Sequence, residues 1–361
     1  MFLSIIGVVA VALVGLTAPV AATTHTEHYA NHPLRVRPNA SPSPTGLSPA
    51  QLKTAYRFPA SSTAGAGETI AIVDAYDNPN AEADLNVFNS KFGLPACTTA
   101  NGCFRKVNQT GGTSYPRTSS GWALEIALDV QWAHAIAPGA KILLVEAKTN
   151  SFTNLLAAVD YAASHAHYVS NSWGGSEFSG EGANDSHFVK QGVSFFASSG
   201  DSGSPATYPS ASPKVISVGG TTLKLNANGG VASETGWSGS GGGCSQYLTA
   251  TSAQRALSTF PQVSCGTKRG TPDVSLIGDP ATGVSVYMSL RYQGQSGWWT
   301  VGGTSASCPM WAARSAVTGA VVKARYVYGN SITYRDITAG SNGLSALPGY
   351  DLVTGRGSWV G

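Results

Sequence analysis

The chain has 361 residues and a formal net charge of +3, and only 11% of its residues are charged whereas 43 are glycine. So small a net charge argues against nucleic acid or an anionic membrane surface as a partner. The composition excludes a coiled coil and a disordered tail, and it predicts one large, loop-rich domain that buries a substantial core.

The first 22 residues are apolar, contain no charged side chain and end in small residues. This pattern predicts a secretory signal peptide over residues 1–22, although the usual positive n-region is missing, and an uncleaved membrane anchor is the alternative. No later segment is apolar over a length that spans a bilayer. Residues 23–46 are interpreted as a short linker before a domain over 47–361. We expect a secreted, extracellular protein without membrane contact after the leader is removed.

Short apolar runs alternate with helical stretches along the middle of the chain. Such runs are typical of buried parallel strands. The alternation predicts an α/β fold with a doubly wound, mostly parallel sheet, flanking helices and right-handed crossovers. Hairpins are expected within 219–243 and over 287–301. The predicted strands are 69–73, 141–146, 167–170, 193–197 and 215–218, and the predicted helices are 80–92, 121–133 and 151–164.

Two carboxylates, Glu125 and Asp129, lie four residues apart in the predicted helix 121–133. At that spacing they share one helix face and repel each other. The apolar residues around them indicate burial, and a buried pair of like charges has raised pKa values and shares a proton. A solvated acidic stripe is the alternative interpretation.

A third carboxylate, Asp201, follows the apolar run 195–197 within the sequence Ser-Gly-Asp-Ser-Gly. An aspartate at the carboxyl end of a strand lies where the active sites of α/β proteins form. By itself, this sequence is more often a plain turn.

Near the C-terminus, Gly-Gly-Thr-Ser at 302–305 is followed by Pro309. Glycines allow a tight turn, and proline is tolerated in the first turn of a helix that begins there. The N-terminus of that helix offers N–H groups to a developing oxyanion. Ser305 is therefore a candidate nucleophile, with a surface turn as the alternative. Because no histidine lies in a His-Gly-Thr context, the carboxylates are the candidate bases.

Five cysteines fit an exported protein. Cys97 and Cys103 bracket a short loop, and Cys244 and Cys265 bracket a longer one, so two local disulfides are expected. Cys308 is left over and is expected to be a small buried residue, since it lacks a histidine partner for a nucleophilic role.

These motifs together resemble the sedolisins, which are serine-carboxyl peptidases with a subtilisin-like fold. Glu125 and Asp129, the segment 198–203 and the segment 303–309 occur in the family's order. The segments 47–56, 70–76 and 171–177 resemble the start of the family's catalytic domain, its first core strand and the segment that lines its substrate cleft. The resemblance covers roughly residues 45 to 358.

The resemblance implies a role for each candidate residue. Ser305 would be the nucleophile of an acyl-enzyme, Glu125 its general base, and Asp129 the residue that orients Glu125. Asp201 would donate a hydrogen bond to the oxyanion as a neutral acid. This implies a secreted, acid-active serine endopeptidase, whose partners are protein or peptide substrates and which is expected to be a monomer.

Three further functions stay open as alternatives: a catalytically silent binding protein, an exopeptidase that releases tripeptides, and a subtilisin-type enzyme that uses His134. By the resemblance, Ser172, Trp173 and Gly174 would line the substrate cleft. Core packing is the alternative for Trp173 and also for Trp122, and we favour the cleft for both. The family usually carries a large prosegment, whereas 23–46 would be at most a vestigial pro-region.

The resemblance also implies one Ca²⁺ site in the C-terminal loops and no other cofactor. Calcium takes carboxylates, backbone carbonyls and water as ligands. Without the resemblance these loops would be interpreted as simple turns, and the family usually has glycine where Leu347 stands. The implied carboxylate ligands are Asp336 and Asp351, and the implied carbonyl ligands are Ile337, Leu347 and Gly349.

Overall fold

The computed structural model describes residues 1–2 and 26–360. The predicted signal peptide, 1–22, therefore lies outside the described residues except for its first two positions, and it stays a prediction. The helices are α1 (Pro49–Ala55), α2 (Ala81–Phe92), α3 (Ser120–Ile136), α4 (Phe152–Ala163), α5 (Ser252–Arg255), α6 (Thr304–Thr318) and α7 (Ala324–Tyr328), with 3-10 turns at Glu181–Phe188, Phe260–Val263 and Pro280–Thr282.

The strands form one large sheet and three small ones. In chain order they are β1 (Arg35–Val36), β2 (Thr69–Ala75), β3 (Phe104–Asn108), β4 (Lys141–Ala147), β5 (Tyr168–Asn171), β6 (Gly175–Ser176), β7 (Ser194–Ser198), β8 (Thr207–Tyr208), β9 (Ile216–Leu225), β10 (Val231–Gly236), β11 (Gly243–Thr249), β12 (Lys268–Thr271), β13 (Val274–Ile277), β14 (Val284–Tyr292), β15 (Gln295–Gly302), β16 (Tyr334–Arg335) and β17 (Ser358–Trp359).

The large sheet has ten strands in the order β16-β17-β13-β9-β7-β5-β2-β4-β3, with β10 paired to β9. All its pairs are parallel except β16 with β17 and β10 with β9. The predicted α/β architecture is therefore confirmed. The strand predicted over 215–218 was too short, because β9 continues to Leu225 in an antiparallel hairpin with β10.

Helices cover both faces of this sheet. Ile70 and Ile72 of β2 belong to one core cluster, which includes side chains of α2, α3 and α6. Ala71 and Val73 belong to a second cluster, built largely with α4. Alternate side chains of a strand point to opposite faces, so β2 is buried on both. This burial explains why its sequence is almost continuously apolar.

Helix α3 lies in the interior rather than on the surface. All of its residues from Trp122 to Ile136 are buried. A helix that is apolar on every side belongs in a core. Polar side chains on α3 are consequently taken out of water wherever they point.

Three adjacent strands deliver polar residues to the same edge of the sheet. Strands β7, β5 and β2 are neighbours and parallel, so their carboxyl ends meet. Asp74 lies near the end of β2, Ser172 directly after β5, and Asp201 shortly after β7. Ligand and active sites of α/β sheets form at this edge.

Candidate active site

Glu125 and Asp129 are both completely buried on α3. Burial raises the pKa of each carboxyl group well above its usual range, and the negative charge of Asp129 raises that of Glu125 further. None of their four carboxylate oxygens has a hydrogen-bond partner among the residues described. The burial predicted for this pair is confirmed, and the solvated acidic stripe is excluded.

A third carboxyl group, Asp74, belongs to the same cluster and was missed in the sequence. It is completely buried near the end of β2, and neither of its oxygens has a partner in the described structure. Burial and then the charges of Asp129 and Glu146 raise its pKa, and its own charge raises the pKa of Glu125. One signal could have found it: an aspartate near the carboxyl end of an otherwise apolar parallel strand.

Ser305 is the second residue of α6 and is buried. Two residues before it lies Gly303, whose φ of 108° is strained for any residue with a side chain. The Ser305 hydroxyl lowers the pKa of Glu125, so the two side chains lie together. Ser305 Oγ has no hydrogen-bond partner among the described residues.

Asp201 presents one free oxygen to the same site. Its Oδ1 accepts hydrogen bonds from the backbone N–H of Thr304, at 2.8 Å, and from the Thr304 hydroxyl, at 3.1 Å. Its Oδ2 has no hydrogen-bond partner in the part of the chain described. Burial raises the pKa of Asp201 to about 7. Below that pH, the free Oδ2 is the oxygen available to carry the proton and donate it.

A stretch of the N-terminal region, residues 26–41 and hereafter the strap, crosses the site in an extended conformation. On one side of Ser305, Asn31 and Gly174 exchange two backbone hydrogen bonds of 2.8 and 3.0 Å. On the other side, β1 of the strap pairs antiparallel with the end of β15. The strap therefore runs through the cleft as an added strand, held on both sides of Ser305.

Between these pairings, the Pro33 carbonyl oxygen accepts a hydrogen bond of 3.4 Å from the backbone N–H of Ser305. A Cβ atom at Gly303 would clash with both this oxygen and Oδ2 of Asp201, so the two oxygens approach the same point. The Ser305 N–H and a neutral Asp201 thus lie beside one carbonyl oxygen. This is the arrangement that stabilises an oxyanion.

Two strap side chains lie close to the candidate catalytic carboxyl groups. Nδ1 of His32 lies 3.6 Å from Oε2 of Glu125, and its ring meets Trp122 edge-on at 5.0 Å. Nη2 of Arg35 donates a 2.9 Å hydrogen bond to the Asp201 carbonyl, and its Nε lies 3.8 Å from Oδ2 of Asp201. Arg35 lowers the pKa of Asp201 and so favours the ionised form, which cannot donate to an oxyanion.

The structure places some of the residues expected to line the cleft beside the strap or the carboxyl cluster, and one of them in the core. Gly174 binds the strap backbone, and the hydroxyl of Ser172 lies near enough to Asp129 to lower its pKa. Trp122 contacts the strap, as expected for a cleft wall. The preference for a cleft wall was wrong for Trp173, whose indole is completely buried in the core around α4 and packs against Phe152.

No described histidine hydrogen-bonds to Ser305. His134, the candidate for a histidine-based mechanism, lies on α3 and contacts the Pro95 carbonyl at 2.9 Å. It approaches the Cys97 and Cys103 sulfur atoms and not the carboxyl cluster. The alternative that uses His134 as a base therefore has no geometric support.

The two expected disulfides, Cys97–Cys103 and Cys244–Cys265, are both present. Cys308 is free and buried, and burial raises the pKa of its thiol well above the ordinary value. A thiol kept protonated in this way is a poor nucleophile. Among the described residues, no helix has the length and apolar character needed to cross a membrane.

The residues expected to bind calcium converge on one loop. Oδ2 of Asp351 accepts a 3.0 Å hydrogen bond from the Leu347 N–H, and Oδ2 of Asp336 accepts one of 2.9 Å from the Gly349 N–H. Neither carboxylate forms an ion pair within the described chain.

The main-chain carbonyls of Ile337, Leu347 and Gly349 accept no hydrogen bond from the described residues. Those of the neighbouring Pro348 and Tyr350 do, both from Gln262. Two carboxylates without an ion-pair partner in the described chain and three free carbonyls are oxygen ligands that a hard cation prefers, so the residues present fit calcium. The carboxylate of Asp351 also accepts hydrogen bonds from the N–H groups of Val353 and Thr354.

Comparison with known proteins identifies relatives of this chain. A family model described as the Subtilase family matches residues 98–338. Kumamolisin from Bacillus sp. (strain MN-32) is 32% identical over 366 residues, which cover 89% of this chain and 63% of kumamolisin. Sedolisin from Pseudomonas sp. (strain 101) is 27% identical over 363 residues, covering 87% of this chain and 60% of sedolisin. The chain thus spans about three fifths of the length of these curated relatives.

Solved structures agree with this relationship. Pseudomonas sedolisin, a serine-carboxyl proteinase complexed with two molecules of pseudo-iodotyrostatin, has a TM-score of 0.72 and 28% identity, covering 88% of this chain and 96% of that chain. A cold adapted subtilisin-like serine proteinase has a TM-score of 0.50 at 15% identity, covering 81% of this chain and 94% of that chain, and supports the fold alone.

The buried carboxyl cluster predicts how stability depends on pH. A carboxyl group whose pKa is raised in the folded state favours folding below its unfolded pKa, and this contribution is lost as the pH rises through the folded value. Replacing Asp74→Asn removes one such group and relieves Glu125 of its repulsion. We expect thermal unfolding to show that Asp74→Asn loses less stability than the wild type between pH 4 and pH 7. A stability difference between the two proteins that is the same at both pH values would contradict this.

The His32 contact predicts that acid loosens the strap. Burial lowers the pKa of His32 from 6.5 to about 4, so the docked strap favours the neutral ring. The carboxyl groups that face it, Glu125 with Asp129 and Asp74 behind, have raised pKa values and offer little compensating negative charge. Docking therefore weakens as the pH falls from 6.5 to about 4, by about 3 kcal/mol in total.

Hydrogen exchange of the Asn31 amide, which bonds to Gly174, measures this release. We expect its protection to fall toward pH 4 in the wild type, after correction for intrinsic exchange. In His32→Gln the pH dependence should largely disappear, because glutamine does not titrate. Equal pH dependence in both proteins would rule out His32 as the cause.

Proposed function

The chain belongs to the subtilase family, in its sedolisin branch, and on that premise we propose that it is a serine-carboxyl endopeptidase that hydrolyses peptide bonds at acid pH. One observation carries the proposal. The Pro33–Leu34 peptide bond lies at Ser305, with the Ser305 N–H and the free Oδ2 of Asp201 beside its carbonyl oxygen and Glu125 beside the serine hydroxyl.

In this mechanism Glu125 is the general base. It takes the proton from Ser305 Oγ as that oxygen attacks the substrate carbonyl carbon, forming a tetrahedral intermediate. Burial and the charge of Asp129 raise the pKa of Glu125, which makes its carboxylate a stronger base than an exposed glutamate. Asp129 shares the proton network and orients Glu125. Glu125 then donates the proton to the leaving amine, and water hydrolyses the acyl-enzyme by the same route in reverse.

Asp201 and the Ser305 N–H stabilise the oxyanion. Asp201 donates only in its neutral form, and its pKa of about 7 makes that form dominant in acid. Activity should therefore fall as the pH rises through about 7, because an ionised Asp201 repels the oxyanion. The proximity of Arg35 to Asp201 supports the view that the docked strap opposes catalysis as well as occupying the cleft.

Substitution of the proposed catalytic residues tests the mechanism. Cleavage of a denatured protein substrate from pH 2 to pH 8 should fall by about 10⁶-fold in Ser305→Ala. It should fall by about 100- to 1000-fold in Asp201→Ala, which removes one oxyanion donor. Glu125→Gln should also be inactive, since an amide cannot accept the serine proton.

Ser307→Ala is a matched control on the same helix. The Ser307 hydroxyl donates to the carbonyls of Leu276 and Ile277, away from the cleft, so its loss should leave cleavage nearly unchanged. Cleavage that survives in Ser305→Ala would show that the nucleophile is misassigned. Folded wild-type protein that binds peptide but cleaves none at any pH would favour the silent binding protein instead.

The course of the strap favours an endopeptidase over an exopeptidase. Asn31 is the third residue before the Pro33–Leu34 bond, and the strap continues past it, with the Ala30 N–H donating to the Asn150 carbonyl at 2.8 Å. The cleft therefore has room for chain beyond a tripeptide. Blocking the N-terminus of a peptide substrate should not slow its cleavage, whereas a tripeptide-releasing enzyme would be inhibited.

The two disulfides support an oxidising compartment, so we keep secretion after removal of residues 1–22 as part of the proposal. We also propose that Asp336 and Asp351, with the carbonyls of Ile337, Leu347 and Gly349, hold one Ca²⁺. When bound, calcium would neutralise the two carboxylates and fix the C-terminal loops. The proposed active form is a monomer.

Thermal unfolding with added calcium tests this site. At 100 times the dissociation constant, a ligand stabilises the folded state by about 2.7 kcal/mol. We expect calcium to raise the Tm of the wild type, and to raise it much less in Asp336→Asn. Asp336 is exposed, so its replacement should leave the metal-free Tm nearly unchanged. Equal calcium responses in both proteins would exclude Asp336 as a ligand.

A further inference from the structure

We propose that the substrate cleft extends seven residues before the scissile bond and ends in a remote subsite, formed by residues 150–153 and Phe178. This subsite takes an extended polypeptide that carries a planar aromatic or imidazole ring at the sixth residue and a carboxylate at the seventh. The numbering of positions rests on the proposed function, because it counts from the Pro33–Leu34 bond at Ser305.

The backbone of the strap continues as a bound strand well beyond the catalytic residues. Ala30, the fourth residue before the bond, donates from its N–H to the Asn150 carbonyl at 2.8 Å. Nδ2 of Asn150 donates to the Ala30 carbonyl at 2.7 Å, and Oδ1 of Asn150 accepts from the Tyr76 hydroxyl at 2.8 Å. Asn150 is thus fixed in position as a clamp on the chain.

The last backbone contact reaches the sixth residue. The N–H of Phe152, at the start of α4, donates to the His28 carbonyl at 2.9 Å. All of these contacts engage peptide groups of the strap, which every polypeptide presents in the same way. The track therefore accepts extended chain in general, and selection between sequences must come from side chains.

Two side-chain contacts supply that selection. The His28 ring stacks on Phe178 with centroids 3.7 Å apart and planes 12° from parallel. The carboxylate of Glu27 accepts from the Thr153 N–H at 3.3 Å and from the Thr153 hydroxyl at 3.2 Å, in the first turn of α4. A flat ring suits Phe178, and an anion suits the N-terminus of this 12-residue helix.

The subsite has room for a ring larger than imidazole. A cavity of about 820 Å³ adjoins His28 and Glu27, between α4 and the turn Glu181–Phe188, and its lining includes Leu156, Ala157 and Phe178. Phe178 is held from behind, because its N–H donates to Oε2 of Glu181 at 2.9 Å and its ring meets Phe152 and Tyr208 edge-on.

The strap and a substrate compete for this track. A change at the subsite should therefore affect short and long substrates differently. Weakening the subsite loosens the strap, so it should speed the cleavage of a short substrate that does not reach the sixth position. The same change should remove the advantage of a long substrate with a ring at that position. A side chain with only a structural role would slow both substrates alike.

The test measures kcat/KM of the full chain at acid pH on matched fluorogenic peptides. One peptide covers four residues before the bond and two after it, and two longer ones reach seven residues back, with Phe or Ala in the sixth position. We expect the wild type to favour Phe over Ala by about 2- to 12-fold, mainly through KM. In Phe178→Ala this ratio should approach one, while the short peptide is cleaved at least as fast.

Two further variants keep the test interpretable. Tyr115→Ala removes an exposed aromatic ring outside the subsite and should leave the ratio unchanged. Thr153→Val keeps the shape of α4 and loses the hydroxyl, so it should reduce a preference for Glu over Gln at the seventh position even if Phe178→Ala folds poorly. A wild-type ratio near one, or a ratio that Phe178→Ala leaves intact, overturns the proposal.

Binding to the Ser305→Ala variant separates this inference from the proposed function. Fluorescence anisotropy with the two longer peptides reports the preference at the sixth position without turnover. If Ser305→Ala binds with that preference while the wild type cleaves nothing, the subsite stands and the proposed function fails. If the wild type cleaves all peptides and neither assay shows the preference, the proposed function stands and the subsite fails.

Discussion

The carboxyl groups of Asp74, Glu125 and Asp129 lie together in an apolar interior, and no described lysine or arginine forms an ion pair with any of them. Ionising all three there is prohibitively costly, so protons must be held among them. The rest of the site depends on this constraint, because the three carboxyl groups share protons beside Ser305, so one of them can be ionised as a base while its neighbours hold a proton.

Desolvation raises the pKa of Asp201, as it does for the carboxyl cluster, and it shifts the pKa of His32 in the opposite direction. It raises the pKa of Asp201 to about 7 and lowers that of His32 to about 4. As the pH falls, Asp201 takes up the proton that an oxyanion donor needs, and the strap loses the neutral imidazole that its docking needs. One physical effect, the exclusion of water from the cleft, thus links the chemistry of the site to its accessibility.

The strap shows how the cleft recognises a chain. From His28 to Val36 it is held by backbone hydrogen bonds on both sides of Ser305, so affinity does not depend on sequence over most of that length. Selection is concentrated at the few places where a side chain meets a fixed partner, such as the ring of Phe178. A groove built in this way binds the protein's own segment and a substrate by the same contacts.

The sequence by itself determined the α/β fold, the helix face shared by Glu125 and Asp129, the turn that presents Ser305 and both disulfides. These follow from hydrophobic periodicity, residue spacing and local turn chemistry, which short stretches of sequence record. Only the tertiary structure decided that Asp74 joins the carboxyl cluster, that the indole of Trp173 faces the core and that residues 26–41 fill the cleft. These outcomes depend on contacts between residues far apart in the chain, such as Pro33 with Ser305, and no local pattern specifies such contacts.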